Sequence, residues 1–185
     1  MTSQRGVARI LMIFLTCLAC SAQAQTSAPK PDPEFNKLQV LVGHWTFTGE
    51  YKSGSWGQGA KITGDYTFRL LLKGFVLEAR VTERSAHAET HYLEIDAYDP
   101  VKRSITFSEY SDADTRYCGV VNIDGRTIIR NGTVTASGKQ FPVKETLLLS
   151  SDGKSATVKG ELSSDGKNWL PYFEAKLTRM ESASK

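Results

Sequence analysis

The sequence predicts an all-β chain folded into a single antiparallel up-and-down barrel of roughly ten strands, preceded by a short N-terminal helix. Three observations carry this prediction. From Trp45 onward, apolar residues recur at every second position, the period of a half-buried strand. Short turn signals such as Asp124-Gly125 and Ser137-Gly138 join consecutive runs directly, which makes the neighbours antiparallel. A meander this long does best by closing on itself, because closure removes the exposed strand edges.

The first residues do not belong to that pattern. Residues 1–24 have the order of a secretory signal: Arg5 and Arg9, then an apolar run from Ile10 to Cys20, then Ala22-Gln23-Ala24 as a cleavage site. The apolar run is too short to span a bilayer, and no later run is long enough. A lipid-attachment reading at Cys20 would need Leu three positions earlier, where Cys17 stands. The expected product is an exported chain, periplasmic or secreted, starting at Gln25. Residues 25–33 form a flexible Pro-rich lead, 34–180 the barrel domain and 181–185 a polar tail. Arg5 and Arg9 leave with the signal. The other Lys and Arg residues then nearly balance the 20 acidic ones, so no basic field points to nucleic acid. Cys118 is left without an internal disulfide partner and reads as a small strand residue.

The elements follow in order. Asp32-Pro33-Glu34 is a helix start, with a capping residue, Pro in the first turn and an acid beside it. Phe35, Leu38, Leu41 and Val42 share one face, and Gly43 ends the turn. Trp45, Phe47, Gly49 and Tyr51 face inward on the first strand. Ile62, Gly64, Tyr66, Phe68, Leu70 and Leu72 do so on the second, and Phe75, Leu77, Ala79 and Val81 on the third. Between His91 and Tyr98 two faces compete; His91, Leu93, Ile95 and Ala97 are the more apolar set and are expected inside. Asp124-Gly125, taken as a two-residue turn, sets Ile123 opposite Arg126 and Val121 opposite Ile128, on one continuous face that includes Tyr117, Ile128, Arg130 and Val134. Ser137-Gly138 then sets Arg130 opposite Glu145. The turns at Ser150 to Lys154 and Ser163 to Lys167 repeat one another. Trp169, Phe173, Ala175, Leu177 and Arg179 make the final inward face.

Charged residues on apolar faces are the candidates for function. Arg130, Glu145 and Glu109 sit among Ile, Phe, Val and Leu, and interior charges must be paired or wetted. Arg130 and Glu145 are expected to form a cross-strand ion pair, with Glu109 nearby and Tyr66 and His91 lining the same space. An interior Arg presents a fork that suits the polar end of an amphipathic ligand. The alternatives are an isomerase or hydrolase that uses the interior carboxylates, or a structural barrel filled by its own side chains. His87-x-Glu89-x-His91 offers ligand types on one strand face but no fourth ligand, so no metal is assigned. No nucleophile elbow, phosphate loop or paired-Cys zinc site occurs, and neither catalytic residues nor a cofactor are assigned. Oligomeric state is not readable.

A helical turn followed by Leu41-Val42-Gly43-His44-Trp45, then Tyr98-Asp99-Pro100 with Lys102-Arg103, then Lys176-Leu177-Thr178-Arg179, resembles a large family of bacterial exported proteins of unknown function. That family has a lipocalin-like (calycin) β-barrel, and the likeness runs from Phe35 to Arg179. In such barrels the Trp that opens the first strand is covered by a basic residue near the end of the last strand. The resemblance therefore assigns structural roles to Gly43, Trp45 and Arg179. The chain lacks the Thr-Asp-Tyr segment of true lipocalins. It also lacks the Gly-x-Gly-x-Tyr-Pro stretch of nitrobindin-like haem barrels, having Gly49-Glu50-Tyr51-Lys52-Ser53-Gly54 instead. The resemblance implies a fold and no reaction.

The signal pattern makes the first prediction. N-terminal sequencing of the exported protein should read from Gln25; an intact Met1 or a lipidated Cys20 would contradict it.

Overall fold

The computed structural model describes residues 29–54 and 57–181. The expected signal segment and cleavage site lie outside the described residues. A helical turn, α1 (Pro33–Asn36), continues as a 3-10 turn over Lys37–Leu41. The Glu34 amide donates to the Asp32 carboxylate at 2.8 Å, which caps the start. Ten strands follow: β1 (Gly43–Tyr51), β2 (Ala60–Leu71), β3 (Val76–Ser85), β4 (Glu89–Asp99), β5 (Ser104–Ser111), β6 (Thr115–Asp124), β7 (Thr127–Ala136), β8 (Lys139–Leu149), β9 (Ser155–Ser163) and β10 (Trp169–Arg179). Each strand pairs antiparallel with the next, and β1 pairs with β10, so the sheet closes. No helix among the described residues is long and apolar enough to cross a membrane.

Ser137-Gly138 sets the β7–β8 register as expected. The β6–β7 hairpin is displaced by two residues from expectation, because Asp124 pairs with Thr127 and the turn residues are Gly125 and Arg126. Leu72 and Phe75, expected inside, are exposed around the β2–β3 turn. Ile123 opposes Ile128, Val121 opposes Arg130, and Arg130 opposes Glu145. The two repeated turns are built alike: Asp152 accepts from the Lys154 amide at 3.0 Å, and Asp165 from the Lys167 amide at 2.8 Å.

Two expected faces are corrected. On β4 the inward set is Tyr92, Glu94 and Asp96, not His91, Leu93, Ile95 and Ala97. The hairpin from β3 places Leu77 opposite Asp96 and Ala79 opposite Glu94, and Leu77 and Ala79 are fully buried. Since side chains alternate strictly, the partner strand's face decides β4's face whatever its local apolarity. On β10 the alternation is broken by a bulge between Pro171 and Phe173. The extra residue lets Tyr172 and Phe173 both line the interior cavity, while Trp169 is turned toward solvent.

One end of the barrel is plugged. Phe35, Leu38 and Leu41 from the helical lead are buried in the core beside Trp45. The Trp45 indole N–H donates to the Leu41 carbonyl at 2.8 Å. Trp45 and Arg179 are direct partners across the closing β1–β10 ladder, and the guanidinium carbon lies 4.2 Å from the indole centroid. Arg179 also donates to the carbonyls of Val42 at 2.6 Å, Gly153 at 3.1 Å and Val40. It therefore ties the plug, the closing seam and the β8–β9 turn to one cation. Gly43 stands under it with a φ of +128°, and a Cβ there would come within 3.1 Å of the guanidinium.

The cation over the ring is worth about 0.5–2 kcal/mol, and the carbonyl hydrogen bonds add to it. Arg179→Ala should therefore lower stability by about 2–3 kcal/mol in a denaturant titration and red-shift the Trp45 emission. An unchanged midpoint would show that the latch contributes nothing.

Candidate functional site

The barrel interior is layered along its axis. Nearest the plug it is apolar, with Trp45, Phe68, Leu77, Ile105, Ile128, Leu149 and Leu177. The next layer is charged. It arises because β4, β5, β7 and β8 each carry a charged residue at an inward position of similar height. Glu94 opposes Glu109 on the β4–β5 ladder, and Arg130 opposes Glu145 on the β7–β8 ladder. Beyond this layer lies a cavity of about 210 Å³, bordered by Tyr51, Tyr66, Glu83, Tyr92, Tyr117, Tyr172 and Phe173 together with the charged groups. It reaches Thr115 and Arg116, near the rim opposite the plug.

Arg130 does not pair with Glu145. Its guanidinium crosses the interior to β4, where it donates to Glu94 and, at 3.3 Å, to Asp96. The expected register is present, but the expected ion pair is not. A residue directly opposite on the next strand has a parallel side chain, and a long guanidinium can instead span the barrel to two carboxylates at once. Glu94 is 1 % exposed and Asp96 fully buried. The Arg130 guanidinium carbon also lies 5.3 Å from the Phe107 ring centroid. Burial disfavours charge on Arg130, but Glu94 and Asp96 outweigh it and hold the group protonated. Removing the cation would leave two buried carboxylates unpaired, a loss on the order of 3–5 kcal/mol.

The other acids differ in how well they are satisfied. Glu145 accepts a 2.8 Å hydrogen bond from the Tyr172 hydroxyl. Glu83 accepts from the hydroxyls of Tyr51 at 3.1 Å and Tyr92 at 3.4 Å. Glu109 has no side-chain hydrogen bond among the described residues, and the second oxygen of Glu94 is buried without a partner. Burial pushes the Glu109 carboxyl well above its usual range, and the charges of Glu94 and Glu145 add to the shift. Burial also raises Glu145, against the opposing pull of the Tyr172 hydrogen bond and of Arg130. Asp96 is raised by burial in spite of Arg130, and Glu83 by burial in spite of its two tyrosines.

Of the residues expected in the interior, Arg130, Glu145, Glu109 and Tyr66 border the cavity. His91 does not. It is exposed on the outer face of β4, with its ring 3.4 Å from both the Thr82 hydroxyl and the Glu89 carboxylate. Glu89 is also bound by Arg84 at 2.7 Å. Among the described residues no group of three or more His, Cys, Asp or Glu is placed to hold a metal ion. Glu83, Glu94, Asp96 and Tyr172 were missed by the sequence reading. Glu83 shares the parity of Leu77, Ala79 and Val81, and extending that parity through the next hairpin would have found Glu94 and Asp96.

Tyr172 owes its place to two sequence features. The β10 bulge turns it inward, and Gly160 on β9 leaves the space: a Cβ at Gly160 would sit 2.6 Å from the Tyr172 ring. Any larger residue at 160 would displace the hydroxyl that satisfies Glu145.

These features define a closed ten-stranded barrel with a plugged end and a polar internal cavity. The chain belongs to the DUF1579 family, described as a protein of unknown function, whose family model matches residues 30–179. No curated protein matches the chain. Among solved structures it is similar to the crystal structure of Rv2717c from M. tuberculosis. The identity is 13 % and the TM-score 0.60, over 82 % of this chain and 100 % of that one. That likeness shows the fold. A de novo designed fluorescence-activating β-barrel is also similar, with 13 % identity and a TM-score of 0.41, over 77 % of this chain and 95 % of that one. At that score it carries no argument.

The raised Glu109 carboxyl predicts a pH dependence. An acid whose folded pKa exceeds its unfolded value stabilises the fold below the unfolded value, about pH 4.3, and that stability is lost as pH rises through the folded value. Thermal unfolding should thus show a melting temperature that declines from mildly acidic to neutral pH. Glu109→Gln should flatten the decline and melt higher than wild type above pH 7. Each pKa unit removed is worth about 1.4 kcal/mol, or several degrees in a domain of this size. Parallel curves for the two proteins would contradict the burial argument.

Proposed function

We propose that the protein is an exported barrel that binds a small molecule in its interior, between the charged layer and the open rim. The observation that carries this reading is the cavity itself. Ten strands of this length could fill their interior with side chains, yet about 210 Å³ remains, lined by four glutamates of which Glu94 keeps a buried oxygen without a partner. Export rests on the signal pattern of residues 1–24. The cavity is smaller than a drug-sized pocket of about 300–1,000 Å³, which favours a compact ligand over a long acyl chain.

A second reading is favoured by one observation. Glu109 lines the cavity, lacks a hydrogen-bond partner among the described residues and has a pKa raised by desolvation, the state of a carboxyl suited to proton transfer. In that reading the same cavity would hold a substrate.

The test is native mass spectrometry of protein released from its own compartment, with Val134→Phe as the control. Val134 borders the cavity, and the added ring should fill part of it. A molecule retained by wild type and lost from a folded Val134→Phe protein supports interior binding. Equal retention by both places the molecule elsewhere. Recovery of the bound molecule chemically altered after incubation would favour the catalytic reading.

A further inference from the structure

We infer that the cavity selects a small organic cation carrying a primary or secondary ammonium group; this rests on interior binding as proposed above. Negative groups outnumber positive ones inside the barrel. Arg130 is outnumbered there by Glu83, Glu94, Asp96, Glu109 and Glu145, and the second basic residue on the lining, Arg116, is exposed at the rim. Arg130 is engaged by Glu94 and Asp96 and is only 14 % exposed, so it is not free to receive an anion. Its fork is already occupied by two carboxylates, and an incoming carboxylate would add a further negative group beside them.

The hydrogen-bond inventory points the same way. What the interior leaves open is acceptor capacity: the second Glu94 oxygen, buried and without a partner, and the Glu109 carboxyl. Tyr172 and the Tyr51–Tyr92 pair already donate to Glu145 and Glu83. A buried acceptor without a donor is completed by a ligand that donates. An ammonium group supplies two or three N–H donors together with the charge that buried carboxylates lack. A quaternary ammonium would supply the charge but leave the acceptors orphaned.

The walls agree. Tyr66, Tyr92 and Tyr117 present rings beside Glu94 and Glu109, and a cation against aromatic faces gains further when desolvated. A metal ion does not fit this arrangement, because the carboxylates are not grouped to coordinate one. The volume corresponds to about seven waters at ~30 Å³ each, enough for an amine with one ring or a short chain.

The experiment is isothermal titration calorimetry of the full exported chain with three probes of one skeleton: phenethylamine, phenethyl alcohol and hydrocinnamate. The amine should bind at least tenfold more tightly than the other two. Glu109→Gln should weaken amine binding at least tenfold while the protein remains folded, and Glu145→Gln provides a second variant in case the first misfolds. Equal or tighter binding of the alcohol or the carboxylate would overturn the cation assignment while leaving interior binding intact. Amine binding that survives in both folded glutamine variants would also overturn it. If none of the probes binds, and native mass spectrometry finds no retained molecule, both the assignment and the binding reading fall.

Discussion

Closing a sheet on itself is the constraint from which the rest of this structure follows. Every strand must turn alternate side chains into one shared interior, and no strand can choose its face independently of its neighbours. Five acids and one arginine are thereby committed to the inside, where they must find partners across the lumen and not along the strand. Arg130 does so by bridging to β4, and Glu145 by taking the Tyr172 hydroxyl. Glu109 is left over. The apolar layer on the plug side and the tyrosine-lined space on the other side are arranged around this polar belt.

The belt is costly for the fold. Buried acids with raised pKa values destabilise the native state at neutral pH, and a well-packed apolar core of the same volume would be more stable. Groups held under such strain in a cavity are where recognition or chemistry is to be sought, because stability alone does not account for them. The cavity gives them a shared space, and the bulge on β10 brings in a hydroxyl that regular alternation would have turned outward.

Much of this was legible in the sequence. The period of two and the turn signals specified an antiparallel meander, and closure followed from its length. Ser137-Gly138 set β7 against β8 and so paired Arg130 with Glu145 by position, whereas the turn between β6 and β7 falls on Gly125-Arg126 and shifts that register by two residues from the one read at Asp124-Gly125. Trp45 and Arg179 could be matched through the family resemblance. What failed did so for physical reasons. The face of β4 was judged on local apolarity, yet Leu93 and Ile95 are only half-buried on the outside while Glu94 and Asp96 are buried. Tertiary register overrides composition in a strand, and the three-residue loop before β4 gave no turn signal strong enough to carry that register. The bulge at Pro171–Phe173 could not be inferred from periodicity, which is what it interrupts. Cross-strand position was likewise mistaken for side-chain contact at Arg130, where length and charge let the guanidinium reach across.

The seam between β1 and β10 has a consequence for how the chain must fold. Its two strands are the most distant in sequence, and the contact between Thr46 and Met180 spans 134 residues. All other ladders join consecutive strands and can zip up as the chain emerges. This one must wait for the last strand, so β1 keeps an unpaired hydrogen-bonding edge until β10 has been made. The growing sheet is an open ribbon vulnerable to pairing with another copy. The helical lead, by covering Trp45 before Arg179 arrives, can seal the apolar end of that ribbon while its flank is still exposed. The chain would then curl around a hydrophobic seed made from its own helical lead, and Arg179 would lock it shut from the last strand.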